Sequence, residues 1–248
     1  MAVLTPLPAR PASSISPDDT APAPGPSKGR RRVRLALRIL GFTALGYLAL
    51  WATGTLGILV ASQWVRHETP PPAVAASVQG MNHFQPVDKD QKLWRGSAPS
   101  PAGYRELADK GITTVVDLRA EDLTAHQLAG PERAGLKLVR MPIRDGQTPT
   151  QAQVDRFLEV VRNADGPVYV HCGAGVGRTG SMAAAYLVRT GELTGSEAVR
   201  RNLSVGPPSI EQIYYALNLD KDKAEQPPLP VEAVSRLVDA PRRVMSYF

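Results

Sequence analysis

Pro167-Val168-Tyr169-Val170-His171-Cys172-Gly173-Ala174-Gly175-Val176-Gly177-Arg178-Thr179-Gly180 is the stretch that decides how this chain is read. Pro167 to Val170 is a short apolar, β-branched run suited to a buried strand, and Ser181 to Val188, rich in Ala and Leu, reads as a helix. The glycine-rich turn between them therefore joins a strand end to a helix N-terminus. Backbone N–H groups left without partners in a first helical turn converge on anions, and the helix dipole adds roughly half a positive charge there. Gly173, Gly175 and Gly177 let the backbone curl with its N–H groups inward, while Ala174 and Val176 complete a loop without charge. Arg178 can grip two phosphate oxygens with its planar fork. Cys172 is the only cysteine of the chain, and a thiol beside a fixed cation at a helix N-terminus is an activated nucleophile.

Other readings of the same turn fit less well. Gly175-Val176-Gly177-Arg178-Thr179-Gly180 also satisfies G-x-G-x-x-G, but the dinucleotide site needs a second strand ending in Asp or Glu about 20 residues on. Glu197 falls inside a helical stretch instead, and no strand follows. The nucleoside-triphosphate loop requires a Lys that is absent. A merely structural buried cysteine would leave the surrounding glycines and Arg178 without a reason.

The pattern from His171-Cys172 through Arg178-Thr179-Gly180 resembles the signature of the cysteine-dependent protein tyrosine phosphatase superfamily, in the version of its dual-specificity-like bacterial branch. Leu93-Trp94-Arg95-Gly96-Ser97-Ala98-Pro99, followed by Gly111-Ile112-Thr113-Thr114-Val115-Val116-Asp117-Leu118-Arg119, is similar to the opening of small bacterial members, so the resemblance covers about residues 88–220. It implies phosphomonoester hydrolysis through a phosphocysteine intermediate, with no metal and no organic cofactor. It also implies a phosphorylated protein or small-molecule phosphoester as substrate, of the tyrosine or dual-specificity type. Cys172 becomes the nucleophile, Gly173 to Gly177 and Arg178 the phosphate cradle, Asp145 the general acid and Thr179 the hydroxyl that eases departure of the thiolate.

Asp145 lies in Pro142-Ile143-Arg144-Asp145-Gly146-Gln147-Thr148-Pro149, just past a strand and 27 residues before Cys172. A strand-end loop brings it over the same sheet edge as the cysteine. An Asp-Gly pair also marks a turn in its own right, and Asp122 and Asp165 are distant alternatives for the acid. His171 is implied to orient the loop, with a satisfied core histidine as the other reading. Gln212 resembles a late glutamine that positions water in the family, though its place reads rather as a solvent-facing helix position. Arg119 either extends the anion site or pairs with Asp117 or Glu121. His67, His83 and His126 are scattered and show no metal-ligand spacing. A phosphate-binding pseudophosphatase module, or a phosphatase of inositol phosphates or phospholipids, is the alternative function. An arsenate reductase or sulfurtransferase is a weaker rival, and the reductase usually wants further cysteines.

The N-terminal part has a different composition. Residues 1–29 are rich in Pro, Ala and Ser without hydrophobic periodicity, and an uncharged stretch from Ile39 to Val65 follows Arg30-Arg31-Arg32, Arg34 and Arg38. That stretch exceeds the roughly 20 residues a helix needs to cross a bilayer. The arginines ahead of it predict a cytoplasmic N-terminus and an extracytoplasmic catalytic part at the cell membrane. Val60-Ala61-Ser62 would suit signal-peptide cleavage, but the apolar run is longer than the usual 7–15 residues of such a peptide. Residues 1–38 hold net +5 of the chain's +6, so the remainder is nearly neutral and carries no basic stripe for nucleic acid.

The expected organisation is a disordered basic cytoplasmic tail over 1–34, a transmembrane helix or signal anchor over 35–65 and a Pro/Ala-rich tether over 66–86. A phosphatase domain over 87–220 and a C-terminal extension over 221–248 complete it. Strands are predicted at Leu93–Arg95, Ile112–Leu118, Leu136–Ile143 and Val168–His171, and helices at Pro101–Lys110, Thr150–Asn163, 181–189, 195–203 and 209–219. Thr148-Pro149-Thr150-Gln151 fits a capping box with Pro at the first helical position. A short helix is expected from Val231 to Val238. This alternation predicts an α/β domain with a mostly parallel central sheet flanked by helices, preceded by one transmembrane helix.

Overall fold

The structure is a computed structural model that describes residues 28–69 and 80–245. The chain divides into two compact units, one ending at Tyr47 and one beginning at Leu48, and helix α1 (Lys28–Glu68) contributes to both. In the first unit α1 exposes Val33, Leu40, Phe42 and Leu45 to solvent, as a helix without a protein core to cover it does. By length and composition alone α1 is a candidate membrane span.

The second unit continues with β1 (Gln85–Pro86), β2 (Leu93–Gly96), α2 (Pro101–Asp109), β3 (Thr114–Arg119), α3 (Ala125–Leu128), α4 (Gly130–Arg133) and β4 (Lys137–Ile143). Then come α5 (Gln151–Arg162), β5 (Val168–His171), α6 (Gly177–Arg189), α7 (Gly195–Val205), α8 (Ile210–Leu217) and α9 (Leu229–Met245). The sheet order is β1-β2-β5-β3-β4. Its four main strands run parallel, and β1 adds an antiparallel edge through Gln85 opposite Arg95. The parallel strands are buried on both faces, which explains their continuous apolar runs. Successive residues alternate sides: Val116 and Val170 join Phe157 and Met182 in the larger core, whereas Val115 and Tyr169 join Leu107 and Phe84 in the smaller one. This stack puts the carboxyl ends of β3, β4 and β5 at one edge, where the site forms.

Several elements begin elsewhere than the sequence pattern predicts. Helix α6 opens at Gly177, not Ser181, because the Gly180 amide already reaches the Val176 carbonyl at 2.9 Å. The capping box ahead of α5 uses Thr150 and Gln153, two residues beyond the predicted pair, since Thr150 has the extended backbone a cap needs. Met81 and Phe84 are buried and β1 pairs with β2, so the domain starts ahead of Val87, within the segment expected to be a tether. Residues 70–79 of that tether, and residues 1–27 of the expected disordered tail, lie outside the described residues; from Lys28 the chain is helical. Helix α9 is longer than predicted and docks on α8, where the Glu211 amide donates to Ser235 Oγ at 3.1 Å.

The last turns of α1 are built into the domain. Val65 is buried, Ser62 Oγ donates to the Leu203 carbonyl at 2.7 Å, and Arg66 donates to the carbonyls of Ser204 and Val205 at 3.2 and 3.1 Å. Those are carbonyls at the C-terminus of α7 that no further helical turn could satisfy.

Candidate active site

The loop 172–176 leaves the end of β5 and enters α6. Gly175 has φ +76°, and a side chain there would overlap the backbone of Gly96, so only glycine permits this turn against β2. The Ala98 amide donates to the Gly173 carbonyl at 2.9 Å, and the Tyr169 hydroxyl donates to the Ser97 carbonyl at 2.6 Å, which fixes the segment after β2 beneath the loop. Cys172 is buried, and the Gly175 amide points at its Sγ from 3.3 Å. An amide aimed at the sulfur is what a loop built to stabilise a thiolate and its attached phosphoryl group requires.

Arg178 stands on the first turn of α6 with its side chain 4% exposed. Its two terminal nitrogens meet Glu121 at 2.7 and 2.8 Å, one of them also donates to the Ile143 carbonyl at 3.1 Å, and the other lies 3.5 Å from Asp145 Oδ1. Burial is the largest single influence and works against its charge, but the Glu121 hydrogen bond and the negative charges of Cys172, Asp145 and Glu121 together outweigh it, so its pKa is raised. The same bond lowers the pKa of Glu121, whose side chain is half exposed at the mouth of the site. The structure thus brings Cys172, Arg178 and Asp145 to one sheet edge, and Glu121 joins them as a residue not assigned to the site from sequence. Its only signal was an acidic side chain on the loop after β3, which ends at the same edge.

His171 is completely buried, and burial lowers its pKa to about 4 even though Asp117, 4.0 Å away, favours the charged form. The neutral ring lies with Nδ1 3.0 Å from the Cys172 carbonyl, the geometry for an N–H donated to the cysteine's own peptide group. Arg119 pairs with Asp117 at 2.9 Å and so does not extend the anion site. Thr179 is buried with no hydrogen-bond partner for Oγ1 in this structure, so its hydroxyl is not bonded to Cys172 Sγ here. Asp165 lines a groove with Lys92 and Arg162 where β2 and β5 begin, at the opposite end of these strands.

Two further residues hold the loop from outside. Arg95, 4% exposed on β2, donates to the carbonyls of Gly175 at 2.9 Å and Val176 at 3.3 Å and to Asn202 Oδ1 at 3.2 Å. Burial lowers its pKa to about 10, so it remains a cation at neutral pH, and among the described residues it forms no ion pair with a carboxylate. By occupying the loop carbonyls on the protein side, it leaves the Gly175 amide to face the cysteine. Gln212 is buried rather than facing solvent, contrary to its sequence reading. Its Nε2 donates to the Gln147 carbonyl at 3.1 Å, and its Oε1 lies where a side chain on Gly177 would have to go. Gln212 therefore bridges the loop that bears Asp145 to the start of α6.

Comparison with known sequences gives this site its family. Residues 65–227 match the family described as "DSP-PTPase phosphatase fused to NAD+ Kinase", and the chain belongs to that family. The human dual specificity protein phosphatase CDC14C is 34% identical over 115 residues, covering 44% of this chain and 25% of that protein. The probable chloroplastic NAD kinase 2 of rice is 34% identical over 102 residues, covering 38% of this chain and 10% of that protein. The chain thus spans a quarter or less of the length of these relatives. Among solved structures, the core catalytic domain of the PP-IP phosphatase SIW14 from S. cerevisiae shares the fold with a TM-score of 0.50 at 17% identity, covering 67% of this chain and 96% of that one.

Proposed function

We propose that this chain is a phosphomonoester hydrolase that works through a phosphocysteine intermediate, with phosphotyrosine in proteins or peptides as its preferred substrate. The observation that carries this reading is the Gly175 amide aimed at Cys172 Sγ on a loop whose next helix brings in Arg178. In the first step Cys172 attacks phosphorus, the loop amides and Arg178 hold the equatorial oxygens, and Asp145 gives its proton to the leaving oxygen. In the second, Asp145 takes a proton from water, which attacks the phosphocysteine and expels the thiolate, with Thr179 easing its departure. Neutral His171 and Arg95 keep the loop in its receptive form.

The substrate ranking rests on charge. Gly173 to Gly177 carry none, Arg178 serves one phosphoryl group, and Glu121 at the mouth repels further anions. Inositol polyphosphates and phospholipid phosphates are the second reading. Phosphate release by the full chain in detergent, compared for a phosphotyrosine peptide, a phosphothreonine peptide and an inositol polyphosphate, tests the ranking. The expected order of kcat/KM is as written, and a preference for the inositol compound refutes it.

We also propose that α1 is a retained anchor, with the arginines at 30–38 cytoplasmic and the catalytic domain outside. Ser62 and Arg66 cap α7, so a cut at Val60-Ala61-Ser62 would sever or strand part of the domain's own structure. Protease added to intact cells should digest the domain; digestion only after lysis would reverse the orientation.

A further inference from the structure

Helix α9 turns apolar side chains outward as well as inward. Its inward side mixes the buried Val238 and the partly buried Val231 with Ser235, completely buried, and the partly buried Glu232 and Asp239; Ser235 lies 3.4 Å from Asp239 Oδ2. Its outward side presents Leu229 at 78% exposure, Leu237 at 49% and Val234 at 40%, together with Pro230 and Ala233. Among the described side chains Arg236 is the one charge there, tied to Glu232 at 2.7 Å. A helix that faces water normally keeps its outer side polar. Contiguous apolar surface turned outward marks an interaction face.

The position of α9 identifies what that face meets. Gly54 of α1 lies against Val238: a Cβ on Gly54 would come within 3.0 Å of Val238 Cγ2, so the missing side chain lets the two helices touch. The outward residues Leu56, Val60 and Trp64 of α1 are exposed as well. An anchor that enters the bilayer at Ile39 needs about 20 residues and leaves near Ile58. Gly54 is four residues short of that point, so at about 1.5 Å per residue the contact with α9 lies about 6 Å inside the apolar layer. Interfacial helices sit about 5–10 Å deep in the boundary between headgroups and acyl chains.

We propose that the outward face of α9 is seated, together with the exposed Leu56 and Val60 of α1, in the outer surface of the bilayer that α1 crosses. The proposal rests on the reading of α1 as a membrane span. It makes the catalytic domain a membrane-seated one: α9 caps α8 through Ser235, and α8 carries Gln212, so the helix in the bilayer surface is two contacts from the active-site loop.

The test uses the full chain in phosphatidylcholine–phosphatidylglycerol vesicles. In a Cys172→Ser background, a single cysteine is placed at Leu45, Leu237 or Glu132 and labelled with an environment-sensitive fluorophore, and doxyl-lipid quenching is measured at each. Loss of intensity at 45 and 237 but not at 132 is the expected result. Quenching at 45 without quenching at 237 overturns the proposal while leaving the anchor intact. No quenching at 45 overturns the anchor and the proposal with it. Before labelling, a disulfide between two copies through position 237 on addition of a mild oxidant, with no lipid quenching once it is reduced and labelled, overturns the proposal in favour of self-association. In the otherwise unchanged enzyme, Leu237→Glu should keep kcat/KM on a soluble phosphotyrosine peptide, which shows that the fold survives. In the labelled Cys172→Ser background, Val234→Glu should abolish quenching at 237; persistence of that quenching would place the lipid contact elsewhere.

Discussion

Replacing Arg95 with methionine keeps most of the side-chain volume of a buried position and removes every hydrogen bond it makes to the loop. Three acceptors lose their donor, two of them carbonyls at Gly175 and Val176, next to the amide that faces Cys172. Hydrogen bonds from a charged donor are worth about 1.5–3 kcal/mol each, but removing a buried cation also relieves its desolvation cost. A net loss of about 2–4 kcal/mol of stability follows, which for a domain of this size lowers Tm by roughly 5–15 °C. Activity should fall further than stability explains, since carbonyls free to turn can rotate their amides away from the phosphoryl oxygens. Loss of one preorganised donor costs about 10²–10³ in kcat. The assay pairs thermal unfolding with kcat and KM on a phosphotyrosine peptide well below Tm. Arg95→Lys, which retains a charge but not the fork, should fall between the two. A methionine variant with lower Tm but wild-type kcat would refute the idea that Arg95 sets the loop's conformation.

Three other outcomes follow from the same geometry. Gly180→Ala places a Cβ into Asn202 Oδ1, the group that also receives Arg95, and should cost about 2 kcal/mol or more in chemical denaturation. His171 titrates near 6.5 when unfolded and near 4 when folded, so its contribution is intact above pH 6.5 and is lost as pH falls toward 4. About 2 kcal/mol should be gone by pH 5, and His171→Asn should flatten that part of the stability–pH curve. Asp145→Ala should reduce kcat about 10²–10⁴-fold with ordinary esters and much less with acidic leaving groups, and an equal loss across leaving groups would point to another acid.

The loop was legible because its chemistry is contiguous: strand, cysteine, glycines and arginine lie within fourteen residues, and each local preference agrees with the next. The parallel strands were legible from their unbroken apolar runs, and the order of the sheet from neither. Glu121, Arg95 and Gln212 reach the site from the loop after β3, from β2 and from α8, and only the fold brings them together. Gln212 reads as a surface residue on a helix because nothing local tells that the helix start is pressed against Gly177. The length of α9 was hidden for a related reason: Pro241 lies inside it, and Leu229, Val234 and Leu237 face outward, so the pattern lacks the usual sign of a docked helix.

The central claim is that Cys172 carries the phosphoryl group. Rapid acid quenching of the full chain during turnover, followed by mass analysis of the peptide spanning Cys172, tests it most directly. The expected result is a phosphorylated peptide that accumulates with substrate, is absent in Cys172→Ser, and falls with activity by about 10³-fold or more in Arg178→Ala. Phosphate release by Cys172→Ser at the wild-type rate would contradict it.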